Sequence, residues 1–129
     1  MININDRIVE WTKQSDYDLD TAKYMFRGGR YSYAVFMCHL SAEKAIKGLF
    51  EKRSGLIPPK THNLVYLLNQ LEIKPEKLMA KLITTLGEAN IATRYPESLE
   101  MLQKNYTESV AARIIQQSEE VLQWIKGQF

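Results

Sequence analysis

The sequence has little cysteine, no long apolar run and almost no excess of charge of one sign. Its 129 residues include one cysteine, Cys38, so no disulfide can form within the chain, and a reducing compartment is expected. No stretch approaches the ~18 uninterrupted apolar residues of a membrane-spanning helix. The N-terminus lacks the basic start and the apolar run of a secretory signal. These absences predict a cytoplasmic protein without a membrane partner.

The charge balance excludes one mode of nucleic-acid binding. The chain carries 17 Lys and Arg against 15 Asp and Glu, a net charge of +2. Proteins that bind nucleic acid mainly by neutralising phosphates carry a larger basic excess, although a local basic patch stays open. Hydrophobic residues make up 45% and charged residues 25% of the chain, as in globular proteins. We predict a single domain over residues 1–129.

Apolar residues recur at helical spacing along the chain, and strand patterns are almost absent. Glycine and proline mark the helix ends. The predicted helices are a first from an N-cap at Asp6 to Gly28-Gly29, a second from about Ser32 to Arg53, a third capped by Thr61, a fourth from Pro75 to the break before Pro96, and a last from about Asn105 to Lys126. The pattern predicts an all-α protein, a compact bundle of four to five helices with two long antiparallel pairs.

The second helix carries polar residues inside an apolar arc. At ~100° per residue, His39 and Glu43 fall between Ile46 and Phe36, and Lys47 lies at the edge of the arc. A covered carboxylate needs partners, because removing its charge from water is costly. His39, Glu43 and Lys47 stand four residues apart, so they can form a ladder of interacting side chains.

Two interpretations of this ladder stay open. In the first it is structural, and His39 and Lys47 satisfy Glu43. In the second it borders a cleft or a subunit interface and binds something there. Small residues nearby, such as Ala42 and Ala45, would let another helix approach closely, which favours an interface over an open pocket. We therefore expect a partner helix to bury His39 and Glu43, which with Lys47 would line a shared groove.

Three further residues are candidates for ligand binding. His62 follows Thr61 at the start of the third helix, where it either bonds locally or serves as a pH-sensitive or base-contacting group. Arg94 and Tyr95 lie in "TRYPE", at the helix break forced by Pro96. An exposed guanidinium beside an aromatic ring can hold phosphate and stack on a base. Alternatively, Arg94 pairs with an acidic neighbour and Tyr95 fills the core.

Other residue types carry weaker signals. Cys38 lies in the apolar arc and is predicted to be an inert buried thiol. The carboxylates Asp16, Asp18 and Asp20 fan out over different helix faces, which predicts a solvated surface. A zinc site needs about three or four protein ligands from several segments, and one helical His/Glu pair does not supply them. We expect no metal and no cofactor.

Three motifs resemble the small prokaryotic HEPN-domain proteins. They are "HLSAEKAIK" at 39–47, "PPKTHNL" at 58–64 and "TRYP" at 93–96, together with Asp18-Leu19, Ala22, Gly29 and Tyr31 upstream. The resemblance spans nearly the whole chain. It implies a compact bundle of four or five helices that forms symmetric homodimers. It also implies a minimal nucleotidyltransferase as partner, in some cases as a toxin–antitoxin pair whose HEPN protein is a metal-independent endoribonuclease, and it suggests nucleotide binding.

One departure from the superfamily bears on catalysis. Catalytic members carry an arginine followed, after four to six residues, by a histidine. After Arg94 those positions hold Leu99, Glu100 and Met101. The ribonuclease histidine is therefore missing from its place, and only Arg94 is carried over.

Three hypotheses follow. The favoured one is a homodimeric nucleotide- or RNA-binding protein that partners a nucleotidyltransferase. In it Arg94 and Lys47 contact phosphate, Tyr95 stacks on a base, and His39 and Glu43 order the cleft. The second is an endoribonuclease with a displaced histidine, in which His39 or His62 acts as acid and base. The third is a purely structural dimerisation module.

Overall fold

A computed structural model of the chain describes residues 3–129, which fold into helices joined by short connections. The helices are α1 (Ile4–Arg27), α2 (Tyr31–Ser54), α3 (Leu64–Gln70), α4 (Lys77–Arg94), α5 (Leu99–Asn105) and α6 (Glu108–Lys126). Within that range no residue forms a β-strand. The all-α prediction is confirmed, with six helices where the apolar spacing indicated four or five.

The helices α1 and α2 form a tightly packed antiparallel pair. They are joined by a short turn in which Gly29 has a φ of 77°, a conformation that favours glycine. The Oγ of Ser15 donates to the carbonyl of Ser41 at 2.7 Å, and the Oγ of Ser41 donates to the carbonyl of Ser15 at 2.7 Å. A Cβ atom on Gly48 would lie 3.0 Å from the Cβ of Trp11. Small residues thus let the two backbones approach closely.

The helix α6 packs antiparallel to α1 on the other side of the bundle. Lys126 pairs with Asp16 at 2.8 Å and Lys23 pairs with Glu119 at 3.1 Å. Residue numbers therefore increase along α1 where those of the contacting residues of α6 decrease. The core lies mainly between α2, α4 and α6. Its largest fully buried apolar side chains are Val35, Ile46, Leu49, Leu64, Leu67, Ile83, Leu86, Val121, Leu122 and Ile125.

Two predicted N-caps were wrong, and one helix was missed. The side chain of Asn3, not Asp6, caps α1, and Asp6 donates its backbone N–H to that cap at 2.9 Å. Asn63, not Thr61, caps α3 by accepting from the N–H of Tyr66. Several residues with capping ability stand close together at these sites, and spacing alone does not choose between them. The last long helix begins at Glu108 because residues 99–105 form the separate helix α5.

Asp18 is a further correction. It was predicted to lie on a solvated surface, and Asp16 and Asp20 do. Asp18 is only 5% exposed, because it shares the α1 face of Ser15 and Ala22 that packs on α2. The Nζ of Lys44 lies 2.8 Å from its Oδ2, so an ion pair compensates the buried charge.

The predicted burial of Cys38 is confirmed, and burial raises the pKa of its thiol to about 11. At neutral pH the group is therefore a protonated thiol rather than a nucleophilic thiolate. Among residues 3–129, no helix combines the length and apolar character needed to cross a membrane.

Candidate functional site

The polar ladder of α2 is buried within the single chain. His39 is 1% exposed, Glu43 4% and Lys47 8%. The connection between α2 and α3, which contains the buried Pro58, brings residues 61–63 over them. The expectation that a partner helix buries this ladder is therefore corrected: a loop of the same chain does so.

Glu43 is the centre of the ladder. Its Oε2 accepts a hydrogen bond from the Nζ of Lys47 at 3.0 Å, and its Oε1 accepts one from the Nδ1 of His62 at 2.8 Å. A buried carboxylate is stable only when such partners replace its lost hydration. Glu43 thereby links the buried face of α2 to the loop that precedes α3.

His39 is neutral and holds the same loop in place. Its Nε2 lies 3.0 Å from the carbonyl oxygen of His62. Because a carbonyl only accepts, Nε2 carries the proton and donates. Burial lowers the pKa of His39 to about 4, against the opposing attraction of Glu43. Its Nδ1 lies 3.9 Å from Oε1 of Glu43, which is too far for a hydrogen bond.

His62 joins the ladder to the surface. Its side chain is 54% exposed and lines a cleft of about 450 Å³ between the start of α3 and α4. Because the carboxylate of Glu43 accepts from Nδ1, the neutral ring has its lone pair on Nε2. Nε2 forms no hydrogen bond with any residue in 3–129, so it is free to meet a ligand.

Arg94 lies at the C-terminal end of α4 beside this cleft. Its guanidinium carbon stands 5.1 Å from the centre of the Phe36 ring, a cation–π distance. Its Nη2 donates to the Oδ1 of Asn90 at 3.4 Å, and Asn90 lines the cleft. The positive charge of Arg94 also helps to lower the pKa of His39, so the guanidinium is electrostatically coupled to the ladder.

Tyr95 lies apart from these residues. It is 76% exposed and lines a separate depression of about 190 Å³ together with Met101, Leu102 and Tyr106. Arg94 and Tyr95 are adjacent in sequence, but the helix ends between them and directs them to different surfaces. The structure therefore brings together His39, Glu43, Lys47, His62 and Arg94, while Tyr95 faces elsewhere.

Two residues of the cleft were missed in the sequence. Asn90 is a nearly buried amide one helical turn before Arg94, and Gly87 interrupts a helix in which alanine would be more stable. Both residues interrupt the apolar spacing of α4, and this interruption was the signal in the sequence that could have identified them. His39 and Lys47 lie beneath the cleft rather than in its wall.

The acidic and basic residues of the site do not form a metal centre. Across residues 3–129, no three His, Cys, Asp or Glu side chains are grouped so that they would hold a metal ion. The chemistry available is therefore that of the His62 imidazole, the Asn90 amide and the Glu88 carboxylate in the cleft, with the Arg94 guanidinium beyond its wall.

Comparisons with known proteins give the family. Residues 8–128 match the HEPN domain. The fold is shared with the crystal structure of TT1696 from Thermus thermophilus, with a TM-score of 0.82 and 22% sequence identity. The match covers 95% of this chain and 98% of that one. ST0689, an archaeal HEPN homologue, is 30% identical with a TM-score of 0.75, covering 94% of this chain and 96% of its own. No protein with curated annotation matches significantly. The chain belongs to the HEPN domain family.

Proposed function

We propose that this HEPN-domain protein binds single-stranded RNA, or a nucleotide unit of it, at the cleft between α3 and α4. The observation that carries the proposal is that His62 lines the cleft while Arg94, just beyond its wall, is hydrogen-bonded to Asn90 of the same lining. Glu43 orients His62 and Asn90 holds Arg94. A guanidinium fixed in this way is suited to a phosphate oxygen, and an imidazole nitrogen free of other partners is suited to a polar edge of the ligand.

The test is RNA binding by purified protein. The probe is a fluorescein-labelled single-stranded 12-mer RNA, followed by fluorescence anisotropy at low and moderate salt. Arg94→Ala is expected to weaken binding by roughly tenfold, since a charge-assisted phosphate contact is lost. The matched control is Arg113→Ala, which removes an equal charge from an exposed position on α6. Absence of binding by the wild-type protein, or equal losses in both variants, contradicts the proposal.

A second candidate function is metal-independent cleavage of RNA. It is favoured by the hydrogen bond between His62 and Glu43, which leaves Nε2 as the group able to take or give a proton. In this candidate Arg94 stabilises the charge that develops on phosphorus. His62→Gln is expected to lower the rate of RNA cleavage in chelator-treated buffer by roughly 100-fold. If wild-type protein leaves RNA intact, this candidate is rejected while binding stands.

We also propose that the protein works as a cytoplasmic homodimer with a minimal nucleotidyltransferase, as in a toxin–antitoxin pair. The resemblance of its motifs to such HEPN proteins supports the partner. Exposed apolar side chains at one end of the bundle, among them Tyr33, Tyr95 and Leu99, support the dimer. The single buried cysteine fits a reducing compartment. Co-expression with a nucleotidyltransferase encoded beside it, followed by size-exclusion chromatography, tests the partner. Separate elution of the two proteins contradicts it.

A further inference from the structure

The wall that α4 contributes to the cleft is one continuous stripe. Ile83, Gly87 and Ile91 stand four residues apart, and Asn90 stands four residues before Arg94. Residues four apart lie on the same helix face, about one 5.4 Å turn from each other. The stripe therefore runs from an apolar section into the guanidinium of Arg94.

Gly87 has no structural reason to be glycine. It lies inside α4 with ordinary helical backbone, and a Cβ atom there would meet no atom within 4 Å. Glycine in a helix interior is less stable than alanine. Gly48 differs, since its missing side chain makes room for Trp11. At Gly87 the space that a side chain would occupy is part of the cleft.

The lining of the cleft suits a flat, mostly apolar group with polar edges. Val65 and Ile91, which are 46% and 64% exposed, supply the accessible apolar surface, and the buried Leu64 and Ile83 form its base. The polar groups include acceptors, namely Nε2 of His62 and the carboxylate of Glu88. The Nδ2 of Asn90 is a donor that forms no hydrogen bond with any residue in 3–129.

The charges disfavour a phosphate in the middle of the cleft. The carboxylate of Glu88 would repel it, and the ammonium of Lys47 is already bound by Glu43. Arg94 lies one turn beyond Asn90, at the end of the stripe. A ligand with an uncharged ring in the cleft and an anionic group at Arg94 satisfies both conditions.

We infer that the cleft is a subsite for a nucleobase, held open by Gly87, with the attached phosphate at Arg94. This inference rests on the proposed RNA binding and adds where the base is bound. The base packs on the apolar wall, its amino and imino groups donate to His62 and Glu88, and an acceptor on its edge meets Asn90. A cleft of about 450 Å³ is within the range of sites that hold small molecules.

The experiment fills the cleft and measures binding of the 12-mer RNA by anisotropy. Gly87→Leu is expected to weaken binding by roughly tenfold, because a base that cannot enter loses its packing. Gly87→Ala adds one methyl group and is expected to weaken it less. The control is Ala112→Leu, the addition of the same side chain at an exposed position of α6, which is expected to bind as the wild type does. Circular dichroism and thermal melting verify that each variant is folded.

A second measurement needs no variant. An abasic oligomer with the same number of phosphates is expected to bind wild-type protein roughly tenfold more weakly than the RNA. Equal binding of the abasic oligomer, or unchanged RNA binding by folded Gly87→Leu, overturns the base subsite. If Arg94→Ala still loses affinity in that case, the proposed RNA binding survives. Absence of RNA binding by wild-type protein overturns both.

Discussion

At the scale of residues, α2 buries two carboxylates and satisfies each one differently. Glu43 is held by Lys47 on its own helix and by His62 from the following loop. Glu51, two turns further on, accepts from the Nε of Arg7 at 3.0 Å and the Nε1 of Trp11 at 2.9 Å, both on α1. Each carboxylate therefore fixes one neighbouring segment against α2, because separation would leave a buried charge without partners.

The neutral His39 predicts a loss of stability in mild acid. Its pKa is lowered from 6.5 to about 4 in the folded protein, so between these values the unfolded chain binds more protons. The stabilising contribution is complete above pH 6.5 and is lost as the pH falls towards 4. The shift corresponds to about 3 kcal/mol in the free energy of unfolding. Urea unfolding measured from pH 7.5 to pH 4 tests this.

The matched variant for this measurement is His39→Gln. Glutamine retains an N–H that can donate to the carbonyl of His62 but does not titrate. We expect its stability to fall less steeply than that of the wild type between pH 6.5 and pH 4, where the difference between the two curves isolates His39 from the carboxylates. Parallel curves would show that His39 is not buried neutral.

At the scale of elements, two glycines in helix interiors predict opposite effects of the same substitution. Gly87→Ala is expected to stabilise the protein by about 0.5–1 kcal/mol, since the methyl group meets no atom within 4 Å and helix propensity improves. Gly48→Ala is expected to destabilise it by about 1–2 kcal/mol, because the new methyl group would press on Trp11 and force α1 from α2. Urea unfolding at pH 7.5 measures both. A shared sign would contradict this account of the two sites.

The long helices were predictable from sequence, and the short one was not. Apolar spacing marked α1, α2 and α4, since each buries a stripe against the core. The seven residues of α5 bury no side chain, so they have no apolar stripe to detect. The remaining signals were the N-cap residues, Ser98 for the start of α5 and Thr107 for the start of α6.

The candidate site was predictable in part, for a similar reason. The i, i+4 spacing on α2 predicted the bond between Lys47 and Glu43, because that geometry is local. The expected bond between His39 and Glu43 is absent, since His39 donates to the carbonyl of His62 instead. The position of His62 over Glu43 depends on how the loop after α2 folds back, which spacing does not encode. Asn90 and Gly87 acquire their place only when α4 packs beside α3.

At the scale of the whole molecule, one end of the bundle carries a cluster of exposed apolar residues around α5. Tyr33 and Leu99 line one depression, Tyr95 and Met101 line another, and Leu102 belongs to both. Tyr33 is 62%, Tyr95 76% and Leu99 67% exposed. An exposed apolar cluster of this kind is typical of a protein–protein interface and suits the self-complementary contact of a symmetric dimer.

The homodimer proposed above therefore predicts that a charge at this end separates the two chains. Wild-type protein is expected to have a mass of twice 15.0 kDa by size-exclusion chromatography with light scattering, and Leu99→Arg a mass of 15.0 kDa, because an arginine cannot be buried there without a partner. The matched control is Leu56→Arg, which is 65% exposed in the wild type. Leu56 follows the C-terminus of α2, at the other end of a helix of 24 residues and about 36 Å. The Leu56→Arg variant is expected to remain dimeric. A monomeric wild type would contradict the dimer, and dissociation by Leu56→Arg but not Leu99→Arg would place the interface at the opposite end.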